Sequence, residues 1–146
     1  MPGSPKMIFS WIIGLLYCLF GILQILSAIV TDLARVFSPF LIPSDIASGF
    51  VLCVIGAVFI AGAREMNART VGGEAFLYVG MLLSVAFGLI MFLNLGAQGI
   101  NTILFGGVGS SWSVMQMIVP MLYLAIPSLA GFAVWGHGFL QDLFPA

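Results

Sequence analysis

Charged side chains are scarce in this sequence, and their scarcity excludes an ordinary soluble fold. Only 9 of the 146 residues are charged, or 6%, whereas 62% are hydrophobic. A typical soluble domain is about 25% charged, because its surface must carry groups that water solvates. Lipid is the solvent that suits this composition.

Basic residues are also too few to bind a polyanion. Four Lys and Arg residues stand against five Asp and Glu residues, which gives a formal net charge of −1. The basic residues form no run of the kind that binds anionic lipid headgroups. The sequence therefore predicts the lipid bilayer as a partner and no nucleic acid.

Residues that carry chemistry are equally rare. The chain has two cysteines and one histidine, too few for a metal site or for a haem held by two histidines. The long apolar stretches contain no Asp, Glu, Lys or Arg, although proton and ion relays in membranes normally use such groups. We therefore predict no catalytic residue, no cofactor and no metal site, and we expect that the protein is not an enzyme.

The charge-free stretches predict how often the chain crosses the membrane. Positions 7–31, 46–63 and 75–141 contain no charged residue, and one crossing takes about 20 residues. The third stretch is long enough for two crossings and a turn. The predicted fold is therefore all-α, a polytopic integral membrane protein in which four transmembrane helices form one bundle over residues 1–146. The predicted helices cover about 7–30, 46–63, 75–95 and 114–138.

Prolines modify this scheme at two places. Pro39 and Pro43 interrupt an apolar connection, which predicts a short interfacial segment after the first helix. Pro120 and Pro127 fall inside the predicted fourth helix, where we expect each proline to kink the axis.

The basic residues favour one orientation in the membrane. Lys6 precedes the first helix, and Arg64 and Arg69 lie between the second and third helices, whereas only Arg35 lies on the other side. Basic residues in short loops stay in the cytoplasm. We therefore predict a multi-pass protein of the cell membrane with both termini in the cytoplasm.

One residue pattern occurs on both of the first two helices. The steps of four and three between its members place them on one helix face. Small residues on such a face let helices approach closely in lipid. The pattern indicates either two helix-packing faces, which we favour, or an internal duplication. Its first copy is Gly14, Cys18, Gly21, Ile25 and Ala28, and its second copy, 35 positions later, is Gly49, Cys53, Gly56, Ile60 and Ala63.

Carboxamide side chains collect near the outer ends of the third and fourth helices. Asn94, Gln98, Asn101 and Gln116 could together form a shallow polar pocket. Polar side chains within membrane helices more often form hydrogen bonds between helices.

These observations favour a non-catalytic integral membrane subunit of a larger multi-subunit membrane complex. Such a subunit would pack against other membrane subunits and act as a scaffold through its small-residue faces. The alternative is a small homo-oligomeric transporter or channel for a neutral or polar solute.

Overall fold

Four α-helices make up the regular structure of the described chain. The computed structural model describes residues 4–30, 45–70, 72–105 and 118–143. The predicted all-α fold with four helices is confirmed. The predicted interfacial segment and Gln116 lie outside the described residues. The helices are α1 (Pro5–Ile29), α2 (Ile46–Asn67), α3 (Gly73–Phe105) and α4 (Pro120–Leu143).

Three of these helices are long and apolar enough to cross a membrane. By length and composition, α1, α2 and most of α3 qualify as spans, with mean hydropathies of 2.3, 2.4 and 2.4. The apolar part of α4, Pro120–Gly136, is shorter. One crossing needs about 20 residues, a length that α1, α2 and α3 each reach.

The helix α3 is longer than the sequence indicated. We expected it to end near position 95, but it continues to Phe105. Positions 96–113 are rich in glycine and serine, which predicts a connection there. Each helical glycine costs only about 1 kcal/mol relative to alanine, so isolated glycines do not end a helix whose other residues favour it. Helix formation therefore continues through this segment.

Pro120 begins α4 and does not interrupt it. The described helix starts at this residue, and the preceding turn is closed by the Leu122 amide, which donates to the carbonyl oxygen of Val119. Proline is well tolerated at the first helical position, because that position needs no intrahelical N–H bond. The predicted kink at Pro120 is therefore wrong, whereas Pro127 does lie inside α4.

Consecutive helices run in opposite directions, so α1 and α3 run in the same direction. The Lys6 ammonium contacts the Glu74 carboxylate at 2.9 Å, and the Tyr17 and Ser84 hydroxyls are hydrogen-bonded further along the same two helices. The two contacts span nearly equal sequence separations, 68 and 67 residues. The two helices are therefore parallel and in register, with each α1 residue level with the α3 residue about 67 positions later. α1 packs mainly on α2, and α3 packs on both α2 and α4.

The core is centred on an aromatic pair between α1 and α2. The rings of Tyr17 and Phe59 stack with their centroids 6.0 Å apart, and both side chains are fully buried. Leu77 and Met81 of α3 and Met121 of α4 complete the buried centre. All four helices thus contribute to one hydrophobic core.

Candidate functional site

The most extensive helix contact in the described chain joins α1 to α2. A Cβ atom placed on Gly21 would lie 2.6 Å from the Cys53 sulfur, and one on Gly56 would lie 2.6 Å from the Cys18 sulfur. Carbon and sulfur atoms cannot approach so closely without displacement, because interiors are close-packed. Each thiol therefore requires the glycine that it faces.

The outer members of the repeated pattern pair in the same way. A Cβ atom on Gly14 would lie 2.9 Å from Cγ1 of Ile60, and one on Gly49 would lie 2.8 Å from Cγ1 of Ile25. Position 14 plus 35 is position 49, and position 60 minus 35 is position 25, so the two contacts are equivalent with the helices exchanged. The α1–α2 interface therefore has a local two-fold axis and is self-complementary, as in symmetric dimers.

The structure places most of the predicted packing face at this contact. The four glycines and Ala63 are buried, whereas Ala28 and the two cysteines are partly exposed. Both thiols are free, and the Cys18 sulfur lies 4.0 Å from the carbonyl oxygen of Cys53. The antiparallel register places the two cysteines about one helical turn apart along the helix pair.

Buried hydroxyl groups connect the helices within the bundle. Ser10 donates to the carbonyl oxygen of Phe59 at 2.6 Å, which links α1 to α2. The bond between Tyr17 and Ser84 links α1 to α3, and the Ser128 hydroxyl of α4 donates to the carbonyl oxygen of Leu124 in its own helix. Such bonds replace the water that these groups lose on burial.

Gln24 is the exception in this polar interior. It is only 1% exposed, and among the described residues neither its Oε1 nor its Nε2 atom has a hydrogen-bond partner. Leaving a buried polar group unpaired costs about 1–3 kcal/mol. Sequence reasoning did not single out this residue. The available signal was that Ser10, Tyr17 and Gln24 recur every seven residues, and so lie on one face of α1.

Three of the four predicted pocket residues lie on one exposed stripe of α3. Asn94, Gln98 and Asn101 are all exposed, and the Gln98 amide donates to Oδ1 of Asn94 at 3.1 Å. Among the described residues this stripe does not line a cavity.

The described chain does contain an apolar groove between α3 and α4. Two small residues, Gly88 of α3 and Ala125 of α4, form its floor. They lie so close that a Cβ atom on Gly88 would be 2.4 Å from Cβ of Ala125. Its walls are large apolar side chains, and the lining is almost free of polar atoms. The lining consists of Val85, Gly88, Leu89, Phe92, Ala125, Ile126 and Leu129.

The combination of apolar helices and buried interhelical bonds agrees with a comparison to protein families. The model of a family described as the MJ0565 integral membrane domain matches residues 5–137. The chain belongs to this family. As a member of the MJ0565 family it is an integral membrane protein with several membrane-crossing helices, and its surroundings are the lipid bilayer.

A relative with the same name supports this assignment. The chain is 23% identical over 121 residues to an uncharacterized protein, MJ0565, of Methanocaldococcus jannaschii. The match covers 83% of this chain and 81% of that protein. The chain matches no solved structure.

Proposed function

We propose that this protein is a non-catalytic integral membrane subunit of a larger membrane complex. The apolar groove between α3 and α4 carries the proposal. Interfaces between membrane helices are enriched in small residues, because these let two backbones approach. Gly88 and Ala125 provide such a floor on the outside of the bundle, and a transmembrane helix of another subunit would fill it.

The interior of the bundle supports a structural role for the rest of the chain. Its buried hydroxyls bond to groups of neighbouring helices, as Ser10 does to Phe59 and Tyr17 to Ser84. Bonds of this kind hold membrane helices in a fixed arrangement. The groove on α3 and α4 is therefore presented on a rigid base.

A test combines extraction in a mild detergent with substitution in the groove. The wild-type protein should copurify with different membrane proteins in fixed stoichiometry. Ile126→Trp should fill the groove and reduce that copurification, whereas Val134→Trp on the same helix should not. The two side chains are similarly exposed, at 67% and 70%. Purification of this chain without stoichiometric partners would refute the proposal.

The orientation belongs to the same proposal. The Lys6–Glu74 ion pair places the beginning of α1 beside the beginning of α3, so Lys6, Arg64 and Arg69 lie on one side. We expect that side to be cytoplasmic. A cysteine introduced at Asn67 should be shielded from an impermeant thiol reagent in intact cells, and labelling from outside would reverse the orientation.

A small homo-oligomeric transporter or channel for a neutral or polar solute is the second candidate. Gln24 favours it, because a buried carboxamide without a partner can donate to and accept from a passing solute. Liposomes that contain the protein should then be permeable to glycerol or urea, and Gln24→Leu should abolish the permeability. Equal permeability of empty and loaded liposomes would exclude this candidate for those solutes.

A further inference from the structure

The C-terminal part of α3 extends past the ends of α1 and α2. The register between α1 and α3 places Ile29, the last residue of α1, level with Gly96. The antiparallel contact of Gly49 with Ile25 places the beginning of α2 at about the same level. α3 continues to Phe105, so its last turns rise about 13 Å above its neighbours at 1.5 Å per residue.

The extended part of α3 is apolar around most of its circumference. Ile100, Ile103 and Leu104 are 59%, 79% and 70% exposed. About 20 residues separate Glu74 from Asn94, which is the length of one crossing. The last turns of α3 therefore lie near or beyond the edge of the hydrocarbon core.

One stripe of this segment has the spacing of a helix-pairing seam. Ile90, Asn94, Ala97, Asn101 and Leu104 follow one another in steps of four, three, four and three residues, the heptad spacing of paired parallel helices. The stripe lies on roughly the opposite side of α3 from the groove residues Val85 and Phe92, since successive residues turn by about 100°. It is thus a surface separate from the groove.

We propose that this seam binds α3 of a second copy of the same chain, in a parallel pair. Both copies enter the membrane with one orientation, so their α3 helices are necessarily parallel. In a symmetric parallel pair each seam residue faces its own counterpart. A carboxamide is both a donor and an acceptor, so Asn94 can bond to Asn94 of the second copy, and Asn101 likewise.

The hydrogen-bonding state of the carboxamides fits this arrangement. Oδ1 of Asn94 accepts from Gln98, which leaves the Asn94 amide hydrogens free to donate outward. No described residue bonds to the Asn101 side chain. Asparagine on the seam of paired helices fixes their register, and two asparagines seven residues apart do so at two levels. This proposal concerns a surface that the proposed hetero-complex does not use, so either can stand alone.

Cysteine cross-linking in native membranes tests the pairing. Asn94→Cys and Asn101→Cys each leave the other asparagine in place, and mild oxidation with copper phenanthroline should convert each variant to a covalent dimer of twice the monomer mass. Ile103→Cys, the most exposed position and on another face, is the matched control and should remain monomeric. The wild-type protein, with Cys18 and Cys53 inside the α1–α2 contact, should also remain monomeric.

A second measurement follows the contribution of the carboxamides. Asn94→Leu and Asn101→Leu should each weaken dimerisation in detergent about three- to thirtyfold, the range of one interhelical polar contact. Exposed Ile103→Leu should leave the dissociation constant unchanged. A variant is used only if it elutes as a single folded species, and the two asparagine positions provide independent tests.

Three outcomes would overturn the proposal. Equal cross-linking at Asn101→Cys and Ile103→Cys would indicate random collision. Protection of both seam cysteines from maleimide without any dimer would show that another segment of the same chain covers the seam. A cross-linked product of another mass would assign the seam to a different subunit, in agreement with the proposed function but against the pairing.

Discussion

The substitution Gly56→Ala tests the α1–α2 contact most directly. The added Cβ atom would lie 2.6 Å from the sulfur of Cys18, and 2.8 Å from both the Cys18 nitrogen and the Gly14 carbonyl oxygen. The sulfur can rotate away, but the two backbone atoms cannot move without separating the helices. The variant must therefore widen an interface that runs along most of both helices.

The expected magnitude follows from two opposing terms. Inserting a methyl group into a close-packed contact costs about 1–3 kcal/mol. Replacing glycine by alanine within a helix recovers up to about 1 kcal/mol. The net loss in unfolding free energy should then be about 0–2 kcal/mol relative to the wild type, and about 1–3 kcal/mol relative to a glycine-to-alanine variant without the close contact. Gly21→Ala meets the equivalent atoms of Cys53 and Gly49 at 2.6–2.9 Å, so the local two-fold axis predicts a similar loss.

Unfolding of the detergent-solubilised protein by SDS, followed by circular dichroism, measures both losses. Gly96→Ala is the matched control, because a Cβ atom there would meet nothing within 4 Å. The control should be stabilised by about 0.5–1 kcal/mol. Adding Cys18→Ala to Gly56→Ala should restore only part of the loss, since the backbone contacts remain. If Gly56→Ala is as stable as Gly96→Ala, the close contact does not exist.

Three further predictions concern single polar groups. Gln24→Leu should raise the unfolding free energy by about 1–3 kcal/mol, because it removes a buried carboxamide without a partner; a loss in the same SDS titration would reveal a partner. Tyr17→Phe should lower the unfolding free energy by about 1–2 kcal/mol, because the Ser84 hydroxyl loses its hydrogen bond to the phenol. Tyr123→Phe is the control, and a Tyr17→Phe variant as stable as the wild type would contradict the bond. Hydrogen bonds from Ser48 and from a backbone amide hold the pKa of Asp45 below its usual 3.8. Its contribution to stability is therefore complete above about pH 4 and is lost as the pH falls through the lower folded-state pKa. Unfolding measured against pH should show this loss in the wild type and less of it in Asp45→Asn, and identical profiles would contradict the role of Asp45.

Much of the fold could be predicted because membrane helices follow simple rules. The distribution of charged residues predicted four apolar helices, and the length of a crossing set their approximate positions. The repeated small residues predicted a packing face on α1 and on α2, and in the structure the glycines of these two faces lie against each other, since small residues permit such contact. What the sequence could not provide was the partner of each face. Helical periodicity shows which residues share a face, but not which helix they contact.

The two errors at helix ends have a common physical origin. Gly96 and Gly99 indicated a connection, yet α3 continues through both, because isolated glycines do not end a helix whose other residues favour it. Pro120 suggested a kink, yet it begins the described helix, because its backbone geometry suits a first turn. Residue type constrains a helix boundary only together with the surroundings of the backbone, and those depend on tertiary structure.

The local two-fold axis bears on the origin of the repeated pattern. In an antiparallel helix pair with such an axis, the contact of Cys18 with Gly56 requires an equivalent contact, and Gly21 with Cys53 provides it. If the same residue types occupy equivalent positions on the two helices of this interface, the sequence must contain one pattern twice, with the same separation between all equivalent residues. The recurrence after 35 positions is therefore a consequence of the symmetry of the contact, whether or not the helices arose by duplication. α3 and α4 also approach closely, at Gly88 and Ala125, but neither helix carries a copy of the repeated pattern, so the pattern is specific to the α1–α2 pair.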